Sequence, residues 1–255
     1  QYFMEKIKKT VLLTGTINSA LFNNTGNKLK NIKERYSMYT ESVESYIENS
    51  AFNNIVFAEN SQYDFPADRF LEMAKKYNKK FEYIRCPSYI RETIRHGKSY
   101  GEARMIDDAL KMSTLLQENS TIYKITGRIF LKNSKDICKT LKKHKNEYIV
   151  YMSKKWCFTN IFKFNRADYI SYWKNVWNRC DEKSGNDIER VFFNILEENP
   201  DLDVGCFSVY PYFEGIQGAT LNPYSGKKTE RMLRTALCKL GVFTYGTISS
   251  KMLKL

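Results

Sequence analysis

The centre of the predicted fold lies in two neighbouring segments, Gly97-Lys-Ser-Tyr-Gly-Glu-Ala-Arg-Met-Ile-Asp-Asp-Ala-Leu110 and Thr121-Ile-Tyr-Lys-Ile-Thr-Gly-Arg128. From Gly101 onward, apolar residues recur every three or four positions, which predicts a helix with one buried face: Ala103, Ile106, Ala109, Leu110, Met112, Leu115 and Leu116. The β-branched and aromatic run 121–125 predicts a buried strand. Thr126, Gly127 and Arg128 follow its carboxyl end, where open α/β sheets place their ligand sites.

The same alternation of strand and helix extends toward the amino terminus. Short apolar runs predict strands at 10–14, 54–58 and 81–86, and three- and four-residue spacing predicts helices at 27–49 and 67–77. Such alternation predicts an α/β fold with a mainly parallel central sheet flanked by helices. We expect the strands at 10–14, 54–58, 81–86 and 121–125 to lie side by side.

The second half of the chain is less regular. We predict helices at 135–145, 166–178 and 186–199 and strands at 147–152 and 204–213. Residues 154–164 interleave basic and aromatic side chains, which fits either a platform for single-stranded nucleic acid or a solvated rim over the core. Asp201-Leu202-Asp203 imitates a metal motif, but it follows Pro200 at a helix-to-strand junction and is interpreted as a turn.

Composition points to a folded protein with an anionic partner. The chain has 255 residues and a net charge of +13, which favours nucleotide phosphates, nucleic acid or an anionic membrane. The six cysteines are scattered without zinc-ligand spacing, so reduced thiols and a cytoplasmic location are expected. Neither a run of about 18 apolar residues nor a signal peptide is present in the sequence.

The carboxyl-terminal segment has its own pattern. We predict a main domain at 4–226 and a basic amphipathic segment at 227–255. Its first part predicts a helix with two faces. The apolar face has Met232, Leu233, Ala236, Leu237 and Leu240, and the basic face has Lys228, Arg231, Arg234 and Lys239. Two interpretations remain open, contact with an anionic membrane surface and docking on the protein's own domain.

Two short pieces carry a resemblance to a known family, namely Lys98-Ser-Tyr-Gly-Glu102 and Lys124-Ile-Thr-Gly-Arg128. They resemble bacterial capsule and O-antigen (lipopolysaccharide) glycosyltransferases with the GT-A nucleotide-sugar transferase fold, over the first two thirds of the chain. The resemblance implies a hexosyltransferase-type enzyme of polysaccharide biosynthesis. It would move a sugar from a nucleotide-diphosphate sugar, a UDP-sugar above all, to a growing lipid-linked surface glycan. It also implies a protein peripheral to the inner face of the plasma membrane, with no nucleic-acid partner.

One departure from the family concerns the metal. Where the family has Asp-x-Asp at the end of the fourth strand, this chain has Thr126-Gly127-Arg128. We therefore predict weak or no dependence on Mg²⁺ or Mn²⁺. Arg128, with Lys124 nearby, would bind the donor diphosphate directly.

Further substrate-binding candidates lie at predicted strand ends and helix starts: Thr14, Gly15, Asn18, Arg35, Glu59, Asn60, Ser61, Gly101, Glu102 and Arg104. Asn60 and its neighbours could read a base or ribose hydroxyls, or could form a turn. For Arg35 the alternative is a solvated side chain.

The predicted catalytic base is Glu189 or Asp187 in Ser184-Gly-Asn-Asp-Ile-Glu189. Glu189 is preferred because Ile-Glu-Arg-Val-Phe-Phe resembles the bacterial family. The alternative is structural, with Asn186 as the helix N-cap and Glu189 completing a capping box. The alternative function is a nucleic-acid-binding module built on the basic and aromatic surface.

Overall fold

A seven-stranded sheet forms the middle of the protein in the computed structural model, which describes residues 8–24, 28–139, 144–217, 220–224 and 226–252. The predicted main domain and carboxyl-terminal segment also include residues 4–7 and 253–255, which lie outside the described ranges. In chain order the strands are β1 Thr10–Gly15, β2 Asn54–Glu59, β3 Lys80–Arg85, β4 Thr121–Thr126, β5 Phe130–Leu131, β6 Asn146–Glu147, β7 Val150–Tyr151, β8 Trp156–Cys157, β9 Ile161–Asn165, β10 Val204–Gly205 and β11 Phe213–Glu214.

The large sheet has the order β10-β6-β9-β4-β1-β2-β3. Strands β3, β2, β1 and β4 are parallel, with Thr10 opposite both Asn54 of β2 and Ile122 of β4. Strand β9 is antiparallel to β4 and β6, and β10 pairs parallel with β6. The predicted α/β class and the four neighbouring parallel strands are therefore confirmed.

Helices cover both faces of this sheet. They are α1 Ile32–Asn49, α2 Ala67–Lys76, α3 Ile90–His96, α4 Lys98–Met112, α5 Thr114–Gln117, α6 Ser134–Ile137, α7 Arg166–Asp168, α8 Ile188–Glu198, α9 Lys228–Lys239 and α10 Ile248–Met252. Strands β1 and β2 are buried along their whole length, as expected for a parallel sheet covered on both faces. Leu12 and Val56 belong to the core on the α4 and α8 side, and Leu13 and Phe57 to the core on the α1 and α2 side.

Several predicted boundaries are wrong. Gly101 lies inside α4, which begins at Lys98. Helix α1 begins at Ile32, whereas the prediction began at residue 27, which lies outside the described residues. The predicted helix at 135–145 is the short α6, with 140–143 outside the described residues, and the strands at 147–152 and 204–213 are interrupted by loops. The predicted helix at 166–178 breaks into α7, a π turn and a 3₁₀ turn, and its Trp173 is fully buried.

Residues 154–164 divide between the surface and the large sheet. Segment 161–165 is β9, and Phe162 and Phe164 have no exposed surface. Lys163 forms a buried ion pair with Glu147 of β6 at 3.0 Å. Phe162 and Phe164 therefore cannot stack on a nucleic acid, and the basic and aromatic residues of this stretch that reach the surface are Lys154, Lys155, Trp156 and Phe158.

The carboxyl-terminal segment is anchored to the rest of the protein at several points. The Thr235 hydroxyl accepts a hydrogen bond from the Tyr210 amide at 3.2 Å, and Cys238 is buried. The Val150 amide donates a hydrogen bond to the Phe243 carbonyl at 2.9 Å, and Val242 and Phe243 are buried. The apolar side chains on the outside of α9 and α10 are exposed: Met232, Leu233, Leu240, Ile248 and Met252. Among the described helices, none is long and apolar enough to cross a membrane.

Candidate functional site

A cleft of about 720 Å³ opens at the carboxyl ends of β1 and β4. The amino-terminal turns of α4 and α8 and the loop that precedes β9 complete its walls. Ten of the residues proposed from the sequence line this cleft: Thr14, Gly15, Arg35, Asn60, Gly101, Glu102, Thr126, Arg128, Asp187 and Glu189. The parallel strands bring five of them together because their carboxyl ends share one edge of the sheet: Thr14, Gly15, Asn60, Thr126 and Arg128. The other five lie on α1 and α4 and at the start of α8.

Gly127 allows the ends of β1 and β4 to approach closely. Its amide donates a hydrogen bond to the Thr14 carbonyl at 2.7 Å. A Cβ atom at position 127 would lie 2.8 Å from that same oxygen, which is too close for any side chain. The glycine lies behind the lining, and it sets the positions of Thr126 and Arg128 on either side of it.

Arg128 extends into the cleft from this turn. Its side chain is half-buried, its Nε is buried without a hydrogen-bond partner, and it forms no ion pair among the described residues. A buried guanidinium atom without a partner is costly, and an anion would supply the missing acceptor. Arg128 is therefore available to bind an anionic group of a ligand.

Lys124 and Glu102 form an ion pair below the cleft. The Lys124 side chain is fully buried and also donates a hydrogen bond to the Thr159 carbonyl at 2.9 Å. Burial raises the pKa of Glu102, but the charges of Lys124, Lys98 and Arg128 outweigh it, and the net pKa is below the ordinary value. Glu102 is thus a fixed anion, and its partner Lys124 does not line the cleft.

Glu189 is another carboxyl group in the cleft, and its pKa is shifted in the direction opposite to that of Glu102. Its Oε1 accepts a hydrogen bond from the Thr159 hydroxyl at 3.0 Å. Burial, followed by the negative charges of Glu102 and Asp187, raises the pKa of Glu189 to about 7. The pKa values of Glu102 and Glu189 are thus shifted in opposite directions. Such a pair is expected in a site that moves a proton near neutral pH.

The start of α8 differs from the predicted capping box. Asp187, not Asn186, is the N-cap, and its Oδ1 accepts a hydrogen bond from the Arg190 amide at 2.9 Å. Asp187 also forms an ion pair with the Arg190 side chain. Asn186 instead forms a β-bridge with Asp181. Glu189 is then one position too early to complete a capping box, but it is still an acidic residue in the first turn of α8, where a negative charge is favourable.

The loops after β1 and β2 are held by buried polar groups. Glu59 is fully buried, and its Oε1 accepts hydrogen bonds from the Ile17 and Ser61 amides at 3.0 and 2.9 Å. The Ser61 hydroxyl accepts one from the Asn18 amide at 2.8 Å. Glu59, Ser61 and Asn18 therefore support the loops from behind the lining, while Asn60 lies in the lining and accepts a hydrogen bond from the Thr16 hydroxyl at 2.7 Å.

Two arginines proposed as ligands have structural partners. Arg35 is buried, contrary to its solvated alternative, and its Nε donates to the carbonyls of Thr16 and Ile17 at 3.0 and 3.1 Å. Burial, followed by the charge of Arg128, lowers the pKa of Arg35, although Tyr39 acts in the other direction. Arg104 lies outside the cleft lining, with its guanidinium carbon 4.1 Å from the ring centroids of both Tyr89 and Trp177.

Sequence reasoning missed the segment before β9. Asn160 accepts a hydrogen bond from the Thr126 hydroxyl at 3.1 Å and donates one to the Tyr224 hydroxyl at 2.7 Å. Thr159 connects Lys124 to Glu189 through its carbonyl and hydroxyl groups. Recognising 161–165 as a strand antiparallel to β4 would have placed Thr159 and Asn160 at the cleft, because the start of β9 meets the end of β4.

The carboxylates of the cleft do not form a metal site. Glu102 is paired with Lys124, Asp187 caps α8, and Glu189 is bonded to Thr159. The fourth carboxylate, Glu182, accepts hydrogen bonds from the Ser99 amide and hydroxyl at 3.1 and 2.6 Å. Within the described ranges, no group of three or more histidine, cysteine, aspartate or glutamate side chains could hold a metal ion. The donor set thus does not fit a divalent cation, and a positive charge for a ligand comes from Arg128.

Similarity to known proteins is found among solved structures. No protein-family model matches the sequence, and no curated protein matches it. Solved structures similar to this one include the glycosyltransferase GlyE of Streptococcus pneumoniae TIGR4, with 11% identity, a TM-score of 0.45, and coverage of 78% of this chain and 45% of GlyE. This chain thus spans less than half the length of GlyE.

Two further structures cover more of both chains. A Bacillus anthracis protein described as a glucose-1-phosphate thymidylyltransferase has 13% identity and a TM-score of 0.48, with 92% of this chain and 96% of that chain covered. Core-mannan synthase A from Aspergillus fumigatus, in a Mn/GDP form, has 9% identity and a TM-score of 0.44, with 94% and 87% covered. At these identities and scores, the similarity transfers no residue roles to this chain.

Proposed function

We propose that this protein is a glycosyltransferase that moves a sugar from a nucleotide-diphosphate sugar to a hydroxyl group of a glycan acceptor. One observation carries the proposal. A single cleft at the carboxyl ends of β1 and β4 contains both a guanidinium without an ion pair among the described residues and a carboxyl group with a pKa of about 7. In an inverting sugar transfer, a cation can stabilise the leaving diphosphate and a base can accept the acceptor proton, and these two groups suit those roles.

Arg128 would bind the diphosphate. As the bond between the sugar C1 and the phosphate oxygen breaks, negative charge develops on the nucleoside diphosphate, and a fixed cation stabilises that charge. A guanidinium can donate two parallel hydrogen bonds to phosphate oxygens. Lys98, at the start of α4, also lines the cleft and adds a second positive charge there. This proposal requires no divalent metal ion.

Glu189 would act as the general base. The acceptor oxygen forms the new bond to C1, and its proton passes to the Glu189 carboxylate. A group with a pKa of about 7 is close to half ionised at neutral pH, which is the range in which a general base is effective. Thr159 holds one carboxylate oxygen, and Asp187 shapes the helix turn that presents Glu189.

The identities of the donor and the acceptor in this proposal rest on the resemblance of the sequence to capsule and O-antigen enzymes. The donor would be a UDP-hexose and the acceptor a lipid-linked surface glycan. The exposed apolar side chains of α9 and α10, together with the lysines beside them, support a peripheral position at an anionic membrane surface. The segment would then keep the enzyme near its acceptor in the cytoplasm.

A thermal-shift panel of nucleotide sugars, with and without EDTA, tests the proposal. Binding to the folded state raises the apparent stability by mass action. We expect at least one nucleotide-diphosphate sugar to raise Tm, and EDTA to leave that rise unchanged. A panel in which no nucleotide sugar raises Tm, or in which EDTA abolishes the rise and Mn²⁺ restores it, would contradict the proposal.

A further inference from the structure

A second groove of about 850 Å³ adjoins the cleft. The two share part of their walls: Trp156, Phe158, Arg190, Gln217 and Tyr224. The groove and the cleft are therefore neighbours, and a molecule long enough to span these shared residues would contact both. The volume is in the range of sites that hold drug-sized ligands.

Aromatic rings line this groove as a continuous series. Ring centroids are separated by 5.6 Å from Tyr151 to Trp156, by 6.0 Å from Trp156 to Phe158, by 6.3 Å from Phe158 to Phe213 and by 5.7 Å from Phe213 to Tyr224. Trp156 and Phe158 are half-buried, so part of each ring faces the groove. Flat rings of this kind offer apolar contact area to the C–H faces of sugars while leaving the hydroxyl groups free.

Positive charge predominates around these rings. Lys154, Arg190, Arg231 and Arg234 line the groove, against one carboxylate, Glu230. Arg234 is paired with Glu230 at 2.7 Å, and Arg190 is paired with Asp187. Lys154 and Arg231 have no ion pair in the part of the chain that the structure describes.

The two unpaired cations are held by rings. The Arg231 guanidinium carbon lies 3.9 Å from the centroid of Tyr212, and the Lys154 Nζ lies 5.5 Å from that of Tyr151. Cation–π contact fixes a cation without neutralising it. The groove thus combines surfaces for sugar stacking with two cations that have no ion pair among the described residues.

We propose that this groove binds the acceptor, and that the acceptor is a saccharide bearing a phosphate or carboxylate group that Arg231 and Lys154 recognise. This inference rests on the proposed function, because an acceptor has a role only if the cleft transfers a sugar. Rings and cations are also the chemistry of single-stranded nucleic-acid binding. The saccharide is favoured because the groove is concave and leads into the cleft where Glu189 lies.

The test measures binding of small probes to the full chain by saturation-transfer NMR titration. The probes are N-acetylglucosamine 1-phosphate, glucuronic acid, neutral N-acetylglucosamine and octathymidylate. The variants are Arg231→Gln and Lys154→Gln, each from a different wall of the groove, and Lys239→Gln is the control. Lys239 is an exposed cation at the end of α9 that does not line the groove. Melting curves of each variant confirm folding.

We expect at least one charged sugar to bind more tightly than N-acetylglucosamine. Each groove variant should weaken that binding about tenfold, because it removes one charge-assisted contact, and Lys239→Gln should not. The stronger of the two charged probes identifies the anion. Equal binding of charged and neutral sugars, unchanged binding in both groove variants, or binding of octathymidylate alone would overturn the proposal.

The nucleotide-sugar panel separates the two proposals. If nucleotide sugars raise Tm in the wild type but the groove shows no preference for charged sugars, the inference about the acceptor is wrong and the proposed function stands. If no nucleotide sugar binds, the proposed function fails, and the acceptor role of the groove fails with it.

Discussion

Replacing Glu189 with glutamine removes the proposed base and leaves nearly everything else in place. The carboxylate Oε1 accepts one hydrogen bond, from the Thr159 hydroxyl, and a glutamine carbonyl oxygen can accept the same bond. The helix cap is untouched because Asp187 caps α8. We therefore expect a folded protein whose turnover is about 10²–10⁴-fold lower, the usual contribution of a positioned general base.

The same substitution should also change stability, because burial raises the pKa of Glu189. The folded-state pKa of about 7 is above the ordinary value of 4.5, so folded Glu189 holds a proton that the unfolded chain releases between those pH values. Its contribution to the free energy of unfolding therefore falls as pH rises from 4.5 to 7, by up to about 3 kcal/mol. Glutamine does not titrate, so its contribution to the free energy of unfolding does not fall over this pH range.

Glu189→Gln should thus be as stable as the wild type near pH 4 and more stable at pH 8. The difference in Tm at pH 8 should be a few degrees. In the wild type, turnover should fall as pH drops below about 7, because protonation inactivates the base.

The assay is release of nucleoside diphosphate from the donor that the panel identifies, with melting curves at pH 4 and pH 8. Asp187→Asn is the matched control, since asparagine is also a good N-cap and the change removes the other candidate carboxylate. We expect its turnover to stay within about threefold of the wild type. Glu189→Gln with near-normal turnover, or Asp187→Asn with the larger loss, would refute the assignment.

Three further changes test the surroundings of the cleft. Gly127→Ala places a Cβ atom 2.8 Å from the Thr14 carbonyl oxygen, so calorimetry should show a lower Tm, and an unchanged Tm would mean that the turn adapts. Lys124→Met leaves Glu102 without its partner, so the free energy of unfolding measured with denaturant should fall by about 3 kcal/mol. Adding Glu102→Gln should recover part of this loss, and a double-mutant cycle measures the interaction between the two residues. Met232→Ser with Leu233→Ser should weaken sedimentation with anionic vesicles about tenfold without lowering Tm, and unchanged vesicle binding would contradict the membrane role of α9.

The parallel half of the sheet could be predicted because its signals are local. Strands β1, β2 and β4 are short apolar runs with a turn at each end, and burial on both faces produces such runs. Their shared edge also allowed residues distant in sequence, such as Thr14 and Arg128, to be placed at one cleft. Side-chain partners could not be predicted in the same way: Lys124 and Glu59 occupy strand positions like those of exposed ligands, but contacts with distant segments bury them.

The antiparallel half was harder to predict because its signals are nonlocal. Strand β9 has Lys163 at its centre, and a lysine is normally expected to face solvent. It is buried here because Glu147 on a neighbouring strand forms an ion pair with it. The N-cap of α8 depends on the bridge between Asp181 and Asn186, which moves the cap from Asn186 to Asp187. This displacement of one residue moves Glu189 out of the position that completes a capping box.

The most direct test of the central claim is calorimetric titration of Arg128→Ala and the wild type with a nucleoside diphosphate and the corresponding monophosphate, in EDTA. If Arg128 binds the diphosphate, the variant should bind the diphosphate about 10–100-fold more weakly, which is the range expected for a charge-assisted hydrogen bond. The loss of affinity for the monophosphate should be smaller. Equal diphosphate affinity in the variant and the wild type would contradict the account.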